Sequence, residues 1–162
     1  MIRLEPIGWV RASRVDAVDD DWDSVHSAVE LDGSQFGPQS LLGLEAFSHV
    51  DVVFSFHLVD EHQIERRARH PRGNPEWPEV GIFAQRAKMR PNRIGVTTCR
   101  LRGVDGLTVQ LDGLDAVDGT PVLDLKPYMV EFGPRGEIRQ PAWSHELMAG
   151  YWHAARGATP AP

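Results

Sequence analysis

Up to residue 143 the chain shows almost no helical periodicity; short strand-like runs recur instead, broken by glycine and proline. They occupy residues 7–13, 49–59, 80–87, 93–102, 107–111 and 122–127, each rich in β-branched or alternating apolar residues. So many strands with so few helices between them argue against a βαβ architecture and for a barrel or sandwich. A chain of 162 residues can enclose one hydrophobic core but not two comfortable ones. The expectation is a mostly β protein: one β-barrel domain over residues 1–143, a C-terminal helix over 144–157 and a frayed tail over 158–162.

Several local features sharpen this. The run 49–59 is apolar on both parities, which predicts a central strand covered on both sides. In the hairpin that follows Arg93, Cys99 and Leu101 share one face while Leu107, Val109 and Leu111 alternate with Thr108 and Gln110. A two-residue Asp105-Gly106 loop would mismatch these faces. A bulged three-residue loop, Val104-Asp105-Gly106, pairs Leu101 with Val109 and Cys99 with Leu111 and is the expected form. Residues 38–45 suit a short helical turn, and the proline-spaced stretch 71–78 has to be a loop. Near the end, Ser144 can cap a helix with Glu146 in its first turn. Leu147, Met148, Tyr151, Trp152 and Ala155 would form its apolar face, with Gly157 as the stop. That face can dock on the chain's own barrel, the favoured reading, or on a second subunit.

The net charge of −6 conceals a segregation. Between His62 and Arg102 stand ten basic residues against Glu65, Glu76 and Glu79, a local charge of +7 that leaves −13 for the remainder. Such asymmetry suits either a phosphate-attracting face or a merely solvated arginine-rich surface. No apolar stretch approaches the ~20 residues of a membrane span, and the N-terminal residues lack the apolar core of a signal peptide. The single cysteine, Cys99, can form neither an internal disulfide nor a cysteine zinc site. A cytoplasmic protein with no membrane partner is expected.

Familiar cofactor motifs are missing: there is no G-x-G-x-x-G after a strand, no G-x-x-x-x-G-K-[ST] and no C-x-x-C. His57 and His62 lack a third ligand, so no metal is expected. His49 and His57 read more readily as hydrogen-bonded core residues than as catalytic ones. Two segments carry more polar chemistry than packing demands. Residues 81–96 place a Pro-Asn turn between strands, with cationic residues on each side and Gly95 allowing close approach. Residues 113–128 contain an Asp-Gly-Thr-Pro turn that gathers a carboxylate, exposed backbone groups and a hydroxyl at the start of a strand. Such a turn suits the ribose and amino acid of a nucleoside-like ligand. Either segment can also be a plain turn.

These segments resemble the characteristic blocks of the TsaA-like (TrmO) family, an F-A-x-R … R-P-N-x-I-G run and a D-G-T-P-V-x-D-x-K-P-Y run. Residues 43–49 are similar to a third block and Ile7-Gly8 to the opening strand, so the resemblance spans roughly residues 4–131. It implies a β-barrel that binds S-adenosylmethionine (SAM) without a Rossmann domain, usually as a homodimer. The implied activity is SAM-dependent methylation of N6 of a threonylcarbamoyl-modified adenosine in the tRNA anticodon loop. By similarity, cofactor contacts fall at His57, Leu58, Arg86, Val96, Val117, Asp118, Gly119 and Thr120, with Trp22-Asp23-Ser24 as a looser match. Asn92, Asp118 and Tyr128 would stand near the transferred methyl, and Arg66, Arg67, Arg90 and Arg93 would hold RNA phosphates. The chain departs from the pattern in carrying Arg93 where a second proline is common, and in residues 127–143. Methyl transfer to a small molecule or another RNA, and SAM binding without catalysis, are the alternatives.

Overall fold

The computed structural model describes residues 2–153. Six antiparallel strands close into a barrel: β1 (Gly8–Ala12), β2 (His26–Leu31), β3 (His49–Ser55), β6 (Ile94–Asp105), β7 (Thr108–Asp112) and β8 (Pro121–Pro127). Their order around the wall is β1-β2-β7-β6-β3-β8, and β8 closes on β1 through Gly8 opposite Val122. A small ribbon of β4 (Ala68–Arg69) and β5 (Val80–Gly81) stands apart from the wall. The expected mostly β barrel is the observed one.

Closure explains the burial. Inward positions Val10, Val29, Val50, Val52, Phe54, Cys99, Val109, Leu111 and Val122 are at most 2% exposed. With every strand paired on both sides, no edge is left open. One end is plugged by Leu114 and Ala116 from the β7–β8 connection, the other by Leu41 with Leu44 and Phe36 packed beside it. The strand β3 is central but not covered on both sides. Val50, Val52 and Phe54 face the core, while Asp51, Val53 and Ser55 lie half-buried on the outer wall. His49 is half-buried and His57 exposed, so neither is a core histidine.

The β6–β7 hairpin differs from the expected one. Asp105 pairs with Thr108 across a two-residue Gly106-Leu107 loop, and Gly106, at φ 58°, takes the first loop position as a type II′ turn requires. Leu101 opposes Leu111 and Val104 opposes Val109, with the irregularity at Arg102 between them. Moving the extra residue from the loop into the strand switches its parity, so Leu101 and Val104 both pack on the core. The expected strand at 80–87 stops at Gly81; Ile82–Ala84 form a 3-10 turn that buries Ile82, and Gln85 Nε2 donates to Arg69 O and Val80 O in place of a ladder. Strands β2 and β4 fall outside the expected runs. Short turns at Pro38–Leu41 and Leu44–Ala46 occupy the stretch where one was expected.

The helix α1 covers Ala142–Met148, not 144–157. Pro141 begins it, and Ser144 Oγ donates back to Pro141 O at 2.7 Å, so Ser144 is no cap and Glu146 falls past the first turn. Beyond it Ala149 N–H donates to Glu146 O and Tyr151 N–H to Met148 O in place of the helical ladder, and Asp21, Trp22 and Asp23 N–H donate to Gly150, Tyr151 and Trp152 O. Tyr151 and Trp152 pack on Trp22, Val25 and Val117, which settles the docking in favour of the chain's own barrel. Ala155, Gly157 and the tail lie outside the described residues. No helix among the described residues is long and apolar enough to cross a membrane.

Candidate functional site

Topology concentrates the irregular chain at one end of the barrel. The connections 13–25, 56–93 and 113–120 all leave and re-enter there, and only 32–48 and the tight 106–107 turn lie at the other end. Long loops on a rigid wall are where binding groups gather.

Three adjacent strands deliver the expected contacts to that end. His57 and Leu58 follow β3, where Phe56 N–H donates to Arg93 O at 2.8 Å. Val96 lies on β6 opposite Val53, and Thr120 immediately precedes β8, two residues before Val122 opposite Phe54. Leu58 and Val96 are 58% and 42% exposed, which leaves both aliphatic side chains open to a ligand. Arg86 is brought in by its guanidinium donating to Val96 O. Arg86, Val96, His57 and the Val117–Thr120 turn thus share one barrel end.

The turn itself is laced to β1. Asp118 and Gly119 N–H donate to Arg14 O and Val10 O, both at 2.8 Å, and Val10 N–H donates to Thr120 O at 2.9 Å. Asp118 Oδ1 accepts from Ala12 N–H at 3.0 Å; Oδ2 has no hydrogen-bond partner among the described residues. Asp118 is half-buried, Gly119 takes φ 76° and Thr120 is buried. Trp22, of the looser match, is buried in the same cluster as Val117, with Arg14 stacked 4.4 Å over its ring.

Not every expected residue converges here. Asn92 does, exposed at φ 64° in the turn entering β6. Tyr128 does not: its N–H donates to His49 O at the start of β3. It therefore stands a strand length away, about 20 Å along the wall. Reading the D-G-T-P … K-P-Y block as one site overlooked that β8 carries its last residue to the opposite end.

The basic segment is less free than its composition implied. Arg72 pairs with Asp20 at 2.7 Å, Lys88 with Asp19 at 3.6 Å, and Arg102 with Asp112. Arg90 Nη1 donates to Gln85 O at 2.9 Å and Arg93 Nη1 to Val59 O at 2.7 Å, so both arginines brace loops. Arg66 and Arg67 are exposed and their guanidinium groups make no ion pair among the described residues. Beneath them, Glu65 Oε1 accepts the N–H of both, which holds its carboxyl below the usual carboxylate range.

Two residues escaped the sequence reading. Asp115 accepts the hydroxyls of Thr97 and Tyr151, one on each oxygen. Burial and then the Asp115 charge push the Tyr151 phenol far up, so it remains a donor. Asp115 stands three residues before Asp118, but nothing local in the sequence connects it to Tyr151. Two shallow hollows are present: one of about 450 Å³ lined by Asp23, of the looser match, with His26, Arg100, Arg102, Asp112 and Gly113, another of about 400 Å³ around Leu42 and Phe47. Neither is lined by Arg86, Val96 or Thr120.

Comparison with known proteins gives a family match, to the tRNA-methyltransferase O N-terminal domain, over residues 19–133. The tRNA (adenine(37)-N6)-methyltransferase of Mus musculus is 44% identical over 110 residues, 68% of this chain and 25% of that protein. A probable S-adenosyl-L-methionine-binding protein of Pyrococcus abyssi is 34% identical over 108 residues, 62% of this chain and 52% of its own length. The crystal structure of TrmO from Pseudomonas aeruginosa superposes with a TM-score of 0.69 at 30% identity, covering 86% of this chain and 61% of that one. The chain thus spans between a quarter and two thirds of these relatives.

Proposed function

This chain belongs to the tRNA-methyltransferase O N-terminal domain family, and from that membership we propose that it binds S-adenosylmethionine and methylates N6 of a threonylcarbamoyl-modified adenosine in the tRNA anticodon loop. The observation that supports the reading is that Arg86, bonded to Val96 O, lies at the same barrel end as Leu58 and the Val117–Thr120 turn, beside three neighbouring strands. Their chemistry fits the cofactor. The second oxygen of Asp118 suits a ribose hydroxyl or an ammonium group, Arg86 suits a carboxylate, and exposed Leu58 and Val96 suit an adenine face. When bound, SAM supplies a methyl group on a sulfonium, already activated for displacement. The chain's own part is positioning: orienting the amine, excluding water and accommodating the proton lost afterwards.

Asp118 is the carboxylate of that end suited to receive this proton, Asn92 can orient the amine by accepting a hydrogen bond from it, and Tyr128 at the far end is left out of it. Arg66 and Arg67, exposed and without an ion pair among the described residues, serve the RNA phosphates, while Arg90 and Arg93 shape the loops between them. A second copy of the chain would cover Phe83, which is 76% exposed, giving a homodimer. Action on tRNA supports a cytoplasmic location.

Calorimetry with SAM tests the cofactor. Asp118→Asn keeps an oxygen for Ala12 N–H but removes the charge, and is expected to lose SAM binding while melting as the parent does; unchanged affinity removes Asp118 from the site. Transfer of labelled methyl to bulk tRNA, compared with a metabolite extract, tests the acceptor. Label entering only small molecules overturns the tRNA reading, and SAM binding with no transfer leaves a sensing barrel.

A further inference from the structure

The family match ends at residue 133, yet the chain returns from the far barrel end to lay residues 150–152 along residues 21–23, beside Val117 of the candidate site. Three consecutive backbone bonds join it there: Asp21, Trp22 and Asp23 N–H donate to Gly150, Tyr151 and Trp152 O at 3.1, 3.0 and 2.9 Å. Trp77 Nε1 donates to Glu146 at 2.7 Å, and His153 lies 2.7 Å from Asp23. Within this strap Tyr151 is set apart. Its ring meets Trp152 edge-to-face at 5.0 Å and joins the cluster around Trp22 and Val117, but its hydroxyl reaches past that cluster to Asp115. The other oxygen of Asp115 is held by Thr97 on the barrel wall, one residue along β6 from Val96, whose carbonyl holds Arg86. Asp115 is therefore pinned between strap and wall immediately before the Val117–Thr120 turn.

We infer that Tyr151 is a positioning residue: through Asp115 it fixes the Val117–Thr120 turn relative to Arg86, so the strap beyond the family domain presets the cofactor site. The cofactor half of this statement rests on the SAM reading above. The physical reason is preorganisation. A carboxylate with a hydroxyl on each oxygen keeps one orientation, and the chain two residues on inherits it.

The experiment compares the full chain with three variants. Tyr151→Phe keeps the ring and loses only the hydroxyl. It is expected to weaken SAM binding about tenfold with little change in melting temperature, and to speed amide exchange at Asp118 and Gly119. Asp115→Ala is expected to lose as much, and adding Tyr151→Phe to it to lose nothing more, because the two act as a unit. Trp152→Leu strips packing but leaves the hydroxyl; it is expected to lower the melting temperature while the folded protein keeps its SAM affinity. Parent-like SAM affinity in Tyr151→Phe, additive losses in the double variant, or an equal loss of affinity in Trp152→Leu each overturn the inference. If the parent itself binds no SAM, the proposed function fails, and amide exchange alone decides the positioning role. Unchanged exchange at Asp118 and Gly119 in Tyr151→Phe then overturns it, and faster exchange there supports it.

Discussion

Arg93 adopts φ 52° directly after Asn92 at φ 64°, two left-handed residues in a row at the entrance to β6. Asparagine tolerates that region; arginine enters it at a cost of roughly 1 kcal/mol. Here the cost is offset by Arg93 N–H donating to Arg90 O at 3.0 Å and Nη1 to Val59 O at 2.7 Å. Proline at this position would be held near φ −65° and has no N–H. Arg93→Pro is therefore expected to destabilise the chain by about 3 kcal/mol or more, read as a fall in melting temperature; an unchanged value would show that the turn reorganises freely. Cys99 supports a second residue-level expectation. It is fully buried, and burial first, then the charges of Asp115 and Asp51, push its thiol up. The native state keeps a proton that the unfolded chain releases. The associated stability is complete below the ordinary thiol value near 8.5 and declines as pH rises beyond it. Thiol reagents are expected to modify Cys99 only in denaturant. In Cys99→Ala the loss of stability above about pH 8.5 should shallow, by at most about 1.4 kcal/mol per pH unit; an identical slope would assign that loss to other groups.

At the scale of elements, β3 and β6 meet at their tightest where Gly95 faces the core. A Cβ there would fall 2.5 and 2.6 Å from the Phe54 ring, and Phe54, 1% exposed, has no room to retreat. Gly95→Ala is expected to cost about 1–3 kcal/mol. Gly103→Ala on the same strand, where the nearest atom is Glu45 Oε1 at 3.9 Å, is the tolerated control; equal denaturation midpoints for the two would contradict the packing argument. The sequence shows that something needs Gly95, but the neighbour it accommodates is this ring. Elements announced themselves unevenly. Residues 7–13 and 122–127 read as strands because alternation survives in them. Residues 26–31 did not, since Ser27 and Ala28 blur the contrast between faces although both are buried. The hairpin was misjudged for a related reason. Apolar residues at both Leu101 and Val104 signal a parity switch inside the strand, and a loop bulge was inferred instead. The helix was drawn too long because periodicity cannot reveal that the carbonyls of residues 150–152 are taken by another loop.

For the whole molecule, closure of six antiparallel strands sends three of the five connections, the longest among them, to one end, which gathers loop chemistry there without any nucleotide-binding helix. The motif blocks marked most of that end, because turn-forming residues and cations are local signals. That Tyr128 lies at the other end of the barrel, and that Asp115 joins Tyr151, is not legible in the sequence, because the first depends on strand direction and the second on contact between residues 36 apart. The charge segregation was legible as a sum but not as a surface, since Asp19, Asp20 and Asp112 neutralise part of the basic segment through contacts no composition reveals. The central claim, that the methyl donor sits at the end bearing Arg86 and the Val117–Thr120 turn, is tested most directly by following backbone amide resonances of the full chain during titration with SAM. The account predicts shifts concentrated at Leu58, Val96 and residues 117–120. No shifts at saturating SAM, or shifts confined to the groove around Arg100 and Asp112, would contradict it.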